Sequence, residues 1–193
     1  MLRGGPAVDL TEAAWDQVLD VNAKGLFFIM QAVAVQSMIP RATGSIVNFS
    51  SIAGIRGMRE PLCSQHYSAS KGAVVQVTRQ AAVEWAKYGI RTNAVAPGGV
   101  NTFASPAVGG APGGAAPGGG GPCVGDAPGG SAPGVSASGP AGPPPDLLEP
   151  IPLKRLVEPW EVAASVAFLL SDKAAMITGQ VLVIDGGGSV VGY

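Results

Sequence analysis

The chain has 193 residues, 12 Lys and Arg against 13 Asp and Glu for a net charge of −1, and 47% hydrophobic but only 13% charged residues. That length supports one globular domain with a substantial core. A balanced charge with no basic run offers little to neutralise a phosphate backbone or grip an anionic bilayer, which disfavours nucleic-acid and polybasic-lipid roles. Cys63 and Cys123 stand in unrelated contexts without zinc or disulfide spacing, so no metal site is expected and a reducing, cytoplasmic setting is the default. No apolar h-region follows Met1, and Gln31 and Gln36 interrupt the most apolar stretch, 25–39, so no membrane-crossing segment is expected.

Thr11 is a candidate N-cap, and Trp15, Val18, Leu19, Asn22, Leu26, Met30 and Val33 recur at three- and four-residue spacing, which predicts an amphipathic helix ending near Pro40. Residues 45–50, Ser-Ile-Val-Asn-Phe-Ser, are too short for a helix and mostly apolar, as in a parallel strand buried on both faces. A second helix is predicted from Ser64–Tyr67 through Val74, Val77, Ala81 and Trp85 to a stop at Gly89. Ile90–Ala96 reads as a strand broken by Pro97-Gly98-Gly99.

Gly, Pro and Ala then supply 33 of the 42 positions from 104 to 145. Such a stretch cannot offset its conformational entropy by burial, so disorder or an irregular loop is expected there. It reads either as a plain flexible spacer or as an altered functional loop. Beyond it, Pro159 suits a helix first turn, Val162, Val166, Phe168 and Leu169 continue that helix, and Gln180–Ile184 forms a last strand ending in Asp185-Gly186-Gly187-Gly188.

Alternating helices and short apolar strands predict an α/β fold: about three parallel strands, covered on both faces through right-handed crossovers. Ligands of such sheets bind at the carboxyl ends of the strands, which places Ser50 and Ser51, Pro97–Thr102 and Asp185–Gly187 around one crevice.

Tyr67 and Lys71 are four apart at a helix start and therefore share a face. A tyrosine hydroxyl, ordinarily near pKa 10, is poorly matched to proton transfer at neutral pH, and a neighbouring ammonium favours its phenolate. The same spacing also describes a common surface pair. Ser51, at the end of a strand on the same sheet edge, could hydrogen-bond a substrate carbonyl. Asn22 lies on an apolar stripe and must find partners, either backbone or water. His66, the one histidine, could face a substrate or, as a loop residue, simply be solvated.

Asn48-Phe-Ser-Ser51, Tyr67-Ser-Ala-Ser-Lys71, Arg91-Thr-Asn-Ala-Val-Ala-Pro-Gly98 and Asp185-Gly-Gly187, in this order, resemble the classical short-chain dehydrogenase/reductase family. Leu19–Gly25 and Ile151–Arg155 with Glu158-Pro159 are similar to further family segments. The resemblance implies a partial doubly wound, Rossmann-type sheet over residues 1–193, its C-terminal part, interrupted by 104–145. It implies an oxidoreductase that interconverts an alcohol and a ketone or aldehyde with NAD or NADP. Tyr67 would be general acid/base, Lys71 would lower its pKa and hold the nicotinamide ribose, Ser51 would orient the carbonyl, and Asn22 would hold a water through its backbone. Pro97, Gly98, Val100 and Thr102 match the segment beside the nicotinamide, and Phe49 the residue under its ring. Helices 11–40 and 64–88 resemble those that build family dimers, so a homo-oligomer is implied.

No G-x-G-x-x-G turn for the cofactor pyrophosphate occurs, and residue 1 is expected to fall just past the family's fourth strand. A second reading follows, a catalytically silent fragment serving as an oligomerisation or interaction subunit. Ser68-Ala-Ser-Lys71 also fits the S-x-x-K of Ser-Lys hydrolases, but no S-D-N or K-T-G accompanies it.

Overall fold

The computed structural model describes residues 6–59, 62, 64–102 and 148–191. Residues 104–145, which include Cys123, and Cys63 lie outside the described residues, and with them the readings of the Gly/Pro/Ala-rich stretch and of the two cysteines.

The first helix, α1 (Glu12–Arg41), starts where the Thr11 side chain accepts the Ala14 N–H at 3.3 Å. Two wider π turns interrupt it, Asp20–Gly25 and Ala34–Met38. The second precedes Pro40, whose ring lacks an N–H and would clash with a carbonyl one α-turn back. Widening the helix there lets it run on to Arg41 before Ala42, at φ 51°, ends it. By length and composition alone α1 is apolar enough to cross a bilayer even with Gln31 and Gln36 in it, with a mean hydropathy of 1.5 over its best window. Its Val18, Met30 and Ala34 are instead buried within the protein.

Strands β1 (Gly44–Phe49), β2 (Ile90–Pro97) and β3 (Val181–Ile184) form one parallel sheet in the order β1-β2-β3. The register runs from Gly44 opposite Ile90 to Phe49 opposite Val95, and from Ala94 opposite Val181 to Pro97 opposite Ile184. Between β1 and β2 runs α2 (Gln65–Trp85), and before β3 runs α3 (Pro159–Leu170). Gly89, which follows α2, is the one residue type that fits there: its φ is +70°, and a Cβ would sit 2.5 Å from the Ala42 carbonyl oxygen.

Strand alternation assigns the faces. Asn48 of β1 meets Met30 and Thr78, so α1 and α2 cover the face that also carries Ala94. Val95 points the other way, into a cluster with Val157, Val162 and Leu169, joined by Val47 and Ile184, so α3 covers the opposite face. Each such apolar side chain contributes about 1.5–3 kcal/mol by burial. Helices on opposite faces, with the strands advancing in one direction, require crossovers of opposite hand. The expectation that both are right-handed is therefore incorrect; the exception to the usual hand is compatible with a connection as long as the one from 98 to 180.

Arg91 and Asn93 hold the α3 crossover in place. Arg91 donates to the Leu169 carbonyl at 2.7 Å and the Ser171 carbonyl at 3.1 Å, satisfying orphan acceptors at the α3 C-terminus. Fully buried Asn93 donates to the Ile177 carbonyl at 2.8 Å and accepts the Gln180 N–H at 3.0 Å.

At its other end α3 is closed by a capping box of Glu158 and Glu161 with Pro159 in the first turn. Glu161 accepts two 2.7 Å bonds from Arg155 and the Glu158 N–H at 2.8 Å, which hold its carboxyl down at about 2. Because its folded value lies below the unfolded one, its contribution to stability is complete above pH 4.5 and is lost as pH falls toward 2. Glu161→Gln is expected to flatten the acid limb of a stability–pH curve over that window and leave the alkaline limb unchanged, as measured by urea unfolding across pH.

Candidate active site at the carboxyl edge of the sheet

Because the strands are parallel, the ends of β1, β2 and β3 lie along one edge, and each carries residues singled out above: Phe49 to Ser51, Pro97 to Thr102, and Asp185 to Gly187. The end of β1 is bound to a single turn of α2 by three contacts. The Lys71 ammonium donates to the Phe49 carbonyl at 2.9 Å. Ser50 Oγ donates to the Lys71 carbonyl at 2.9 Å. Gly54, in the short turn Ile52–Gly54, lies so close that a Cβ would be 2.5 Å from the Lys71 carbonyl carbon.

Ser51 opens that turn, and its Oγ accepts the Ala53 N–H at 3.2 Å. A hydroxyl whose lone pair is engaged in this way keeps its proton to donate to a carbonyl. Tyr67 and Lys71 share the face predicted for them, with Nζ 5.7 Å from the centre of the phenol ring. Both are partly buried, and burial pushes the Lys71 amine below its ordinary value. A cation stripped of part of its water acts more strongly on a neighbouring phenol than a fully solvated one would.

Asn22 lies in the first π turn of α1, a feature common at functional sites. Its Nδ2 donates to Ser70 Oγ at 3.1 Å, and Ser70 Oγ donates to the Tyr67 carbonyl at 2.7 Å. Asn22 is thus linked through its side chain to the backbone that carries the phenol. Ser70 is fully buried, and its bridging position is one that its place inside the motif does not single out. His66 also departs from expectation. It belongs to the first turn of α2, is 1% exposed, and pairs through Nδ1 with Ser64 Oγ at 3.2 Å. It is a core histidine, because the helix start turns it inward.

On the β2 side, the Gly98 N–H donates to the Ile184 carbonyl at 2.9 Å, and Val100 forms an isolated parallel bridge with Val157. Asn101 adds a 3.0 Å bond to Glu158. These contacts hold Pro97, Gly98, Val100 and Thr102 beside the end of β3. Asp185 closes the β3 end by accepting the N–H groups of Gly187 at 2.9 Å and Ser189 at 2.6 Å. Among the described residues no group of three His, Cys, Asp or Glu side chains could hold a metal.

A phenol, a partly desolvated amine and a serine hydroxyl at the edge of a parallel sheet are the arrangement that the motifs lead one to expect. Residues 1–110 match the family described as short chain dehydrogenase, and residues 145–189 match one described as Enoyl-(Acyl carrier protein) reductase. The chain belongs to the short-chain dehydrogenase family.

Among its relatives, the 3-oxoacyl-[acyl-carrier-protein] reductase of Thermotoga maritima is 37% identical over 185 residues, 96% of this chain and 61% of that protein. The 2-(S)-hydroxypropyl-CoM dehydrogenase 3 of Xanthobacter autotrophicus is 35% identical over 183 residues, 95% of this chain and 60% of that one. A gluconate 5-dehydrogenase from Burkholderia cenocepacia, solved with NADP and tartrate, superposes with a TM-score of 0.74 at 25% identity, covering 100% of this chain and 62% of its own. This chain therefore spans about three fifths of the length of the relatives it matches.

The close approach at Gly54 leads to a stability test of this short-chain dehydrogenase site. Gly54→Ala is expected to cost about 1–3 kcal/mol in chemical denaturation, because a methyl would be driven into backbone rather than into a movable side chain. Gly57, whose Cβ position is open, supplies the control: Gly57→Ala should change stability by less than about 0.5 kcal/mol.

Proposed function

We propose that this chain carries the proton-transfer half of an NAD- or NADP-dependent oxidoreductase that interconverts a small-molecule alcohol with its ketone or aldehyde. The observation that supports this most is the link between α2 and the end of β1, which sets Tyr67, Lys71 and Ser51 around one stretch of the carboxyl edge. Membership of the family and the dehydrogenases and reductases among its relatives support the same reading.

In this reading Ser51 donates its hydroxyl proton to the substrate oxygen and so orients and polarises the carbonyl. Tyr67 delivers a proton to that oxygen in the reducing direction and removes it in the oxidising direction. Lys71 favours the phenolate electrostatically, and Asn22 positions the Tyr67 turn through Ser70. The residues fit a nicotinamide nucleotide: half-exposed Phe49 ends β1 with its carbonyl on the Lys71 ammonium, and Thr102 is exposed beyond β2. Phe49, Tyr67, Lys71, Pro97, Gly98, Val100 and Thr102 would hold it. When bound, the nicotinamide supplies or accepts the hydride.

Titration calorimetry with NADH and NADPH tests this directly, and measurable affinity for either is expected. Tyr67→Phe should then lower carbonyl reduction by at least a hundredfold while coenzyme affinity changes less than threefold. An unchanged rate would remove Tyr67 from its role. No binding of either coenzyme at millimolar concentration would favour the second reading, a catalytically silent interaction subunit.

A homo-oligomer belongs to the same proposal, as does a cytoplasmic setting. Val21, Phe28 and Val35 recur every seven residues along α1 and are 55–57% exposed, an apolar stripe that α1 offers to a second copy. Phe28→Lys is expected to shift the sedimentation coefficient to that of a monomer without changing the far-ultraviolet circular dichroism.

A further inference from the structure

The side chain of Arg56 joins the two outer strands of the sheet at their carboxyl ends. Its backbone follows the turn opened by Ser51, where the Arg56 N–H donates to the Ile52 carbonyl at 3.0 Å. Its Nη1 donates to the carbonyl of Gly188, in the segment that leaves β3. Because β2 lies between β1 and β3, two strand spacings, about 9–10 Å, separate the strands that carry these anchor points. The partly buried side chain that joins them passes the end of β2, where ligands of parallel sheets bind.

The bond to Gly188 leaves most of the guanidinium unused. Nε is buried and has no hydrogen-bond partner among the described residues. The ion pairs among those residues are Lys24–Asp20 and Arg155–Glu161, so no carboxylate there pairs with Arg56. Asp185, at the end of β3, is turned to the backbone and accepts the N–H groups of Gly187 and Ser189. With Nη1 on Gly188, the edge left over is that of Nε and Nη2, whose two parallel N–H groups match the two oxygens of a carboxylate. Holding the Gly188 carbonyl needs one donor, which a neutral side chain supplies equally well. A buried N–H without a partner and a cation without a counter-charge both cost stability, and an oxyanion entering the crevice would satisfy both at once.

We propose that Arg56 is a specificity-determining residue that grips the carboxylate of an oxo-acid or hydroxy-acid substrate through Nε and Nη2, while Ser51 takes the reacting oxygen. The assignment rests on the oxidoreductase reading for its second half and names the substrate class of that same site. Ser51 and Arg56 belong to one short stretch of chain, closed by the bonds of Ser51 to Ala53 and of Arg56 to Ile52. The turn therefore sets the separation at which carboxylate and carbonyl are read, and a substrate is measured by the distance between its two oxygen-bearing ends.

The test compares oxo acids of four to six carbons with their methyl esters, which keep the carbonyl and lose the charge. Binding to the whole chain is measured by saturation-transfer nuclear magnetic resonance without coenzyme, and reduction is followed separately with NADH and NADPH. At least one acid is expected to bind tenfold or more tightly than its ester. Arg56→Gln keeps a donor for the Gly188 carbonyl and removes the charge and the fork; it is expected to abolish that preference while changing the ester's affinity less than twofold. Arg56→Lys, which keeps the charge without the fork, is expected to retain only part of the preference and decides the matter should Arg56→Gln misfold. A role confined to holding Gly188, or a water on Nε, would leave acid and ester affected alike, and that result overturns the proposal. So does an acid that binds no better than its ester. An acid preference that depends on Arg56 without reduction by either coenzyme keeps the carboxylate site and removes the oxidoreductase reading; reduction of acid and ester at equal rates and affinities does the reverse.

Discussion

One turn of α2, at Lys71, is fastened to β1 from three directions. Its side chain reaches the Phe49 carbonyl, its own carbonyl receives Ser50 Oγ, and its backbone lies against Gly54, where no Cβ fits. Helix–sheet contacts made through interdigitating apolar side chains can slide by a few tenths of an ångström at little cost. Contacts made through backbone carbonyls and a glycine cannot. The position of Tyr67 relative to Ser51 is therefore set by main-chain geometry, with Asn22 and Ser70 adding a fourth tie from α1.

Placing a lysine head there has an electrostatic cost. Burial lowers its proton affinity, and the Phe49 carbonyl, which takes one of its protons in a hydrogen bond, offsets part of that loss. The carbonyl is free to do so because it points away from β2. The outer edge of β1 and the Lys71 amine thus meet at the same strand end.

Most of the fold was legible in the residues themselves. The period of Val18, Met30 and Val33, the β-branched runs at 45–50 and 90–96, and Pro159 with its neighbouring glutamates each specify an element locally, and the elements stand where those signals put them. Ser51, Tyr67, Lys71 and Asn22 are singled out by the parallel order of the strands together with the family resemblance. What was not legible depended on relations between elements. The inward turn of His66 depends on how α2 meets the sheet. The hand of the second crossover depends on which face α3 takes, which no local pattern encodes. The apolarity of α1 serves two surfaces that no local pattern separates, the buried side through Val18, Met30 and Ala34 and the exposed stripe through Phe28. The Arg91 and Asn93 side chains, read only as part of a motif, turn out to be tethers for the crossover.

That crossover leaves the two halves of the cleft with different freedom to change. The chain reaches β2 from α2 on one face of the sheet and reaches β3 from α3 on the other, with 98–102 and 151–157 meeting at the carboxyl rim. The rim is anchored by a few main-chain bonds, Gly98 to Ile184 and Val157 to Gly99 among them. Beside them stand the side-chain bonds of Asn101 and Asp185. Substitutions on the rim can therefore reshape the opening while the wall fastened through Ser50, Gly54 and Lys71 on the opposite side stays as it is.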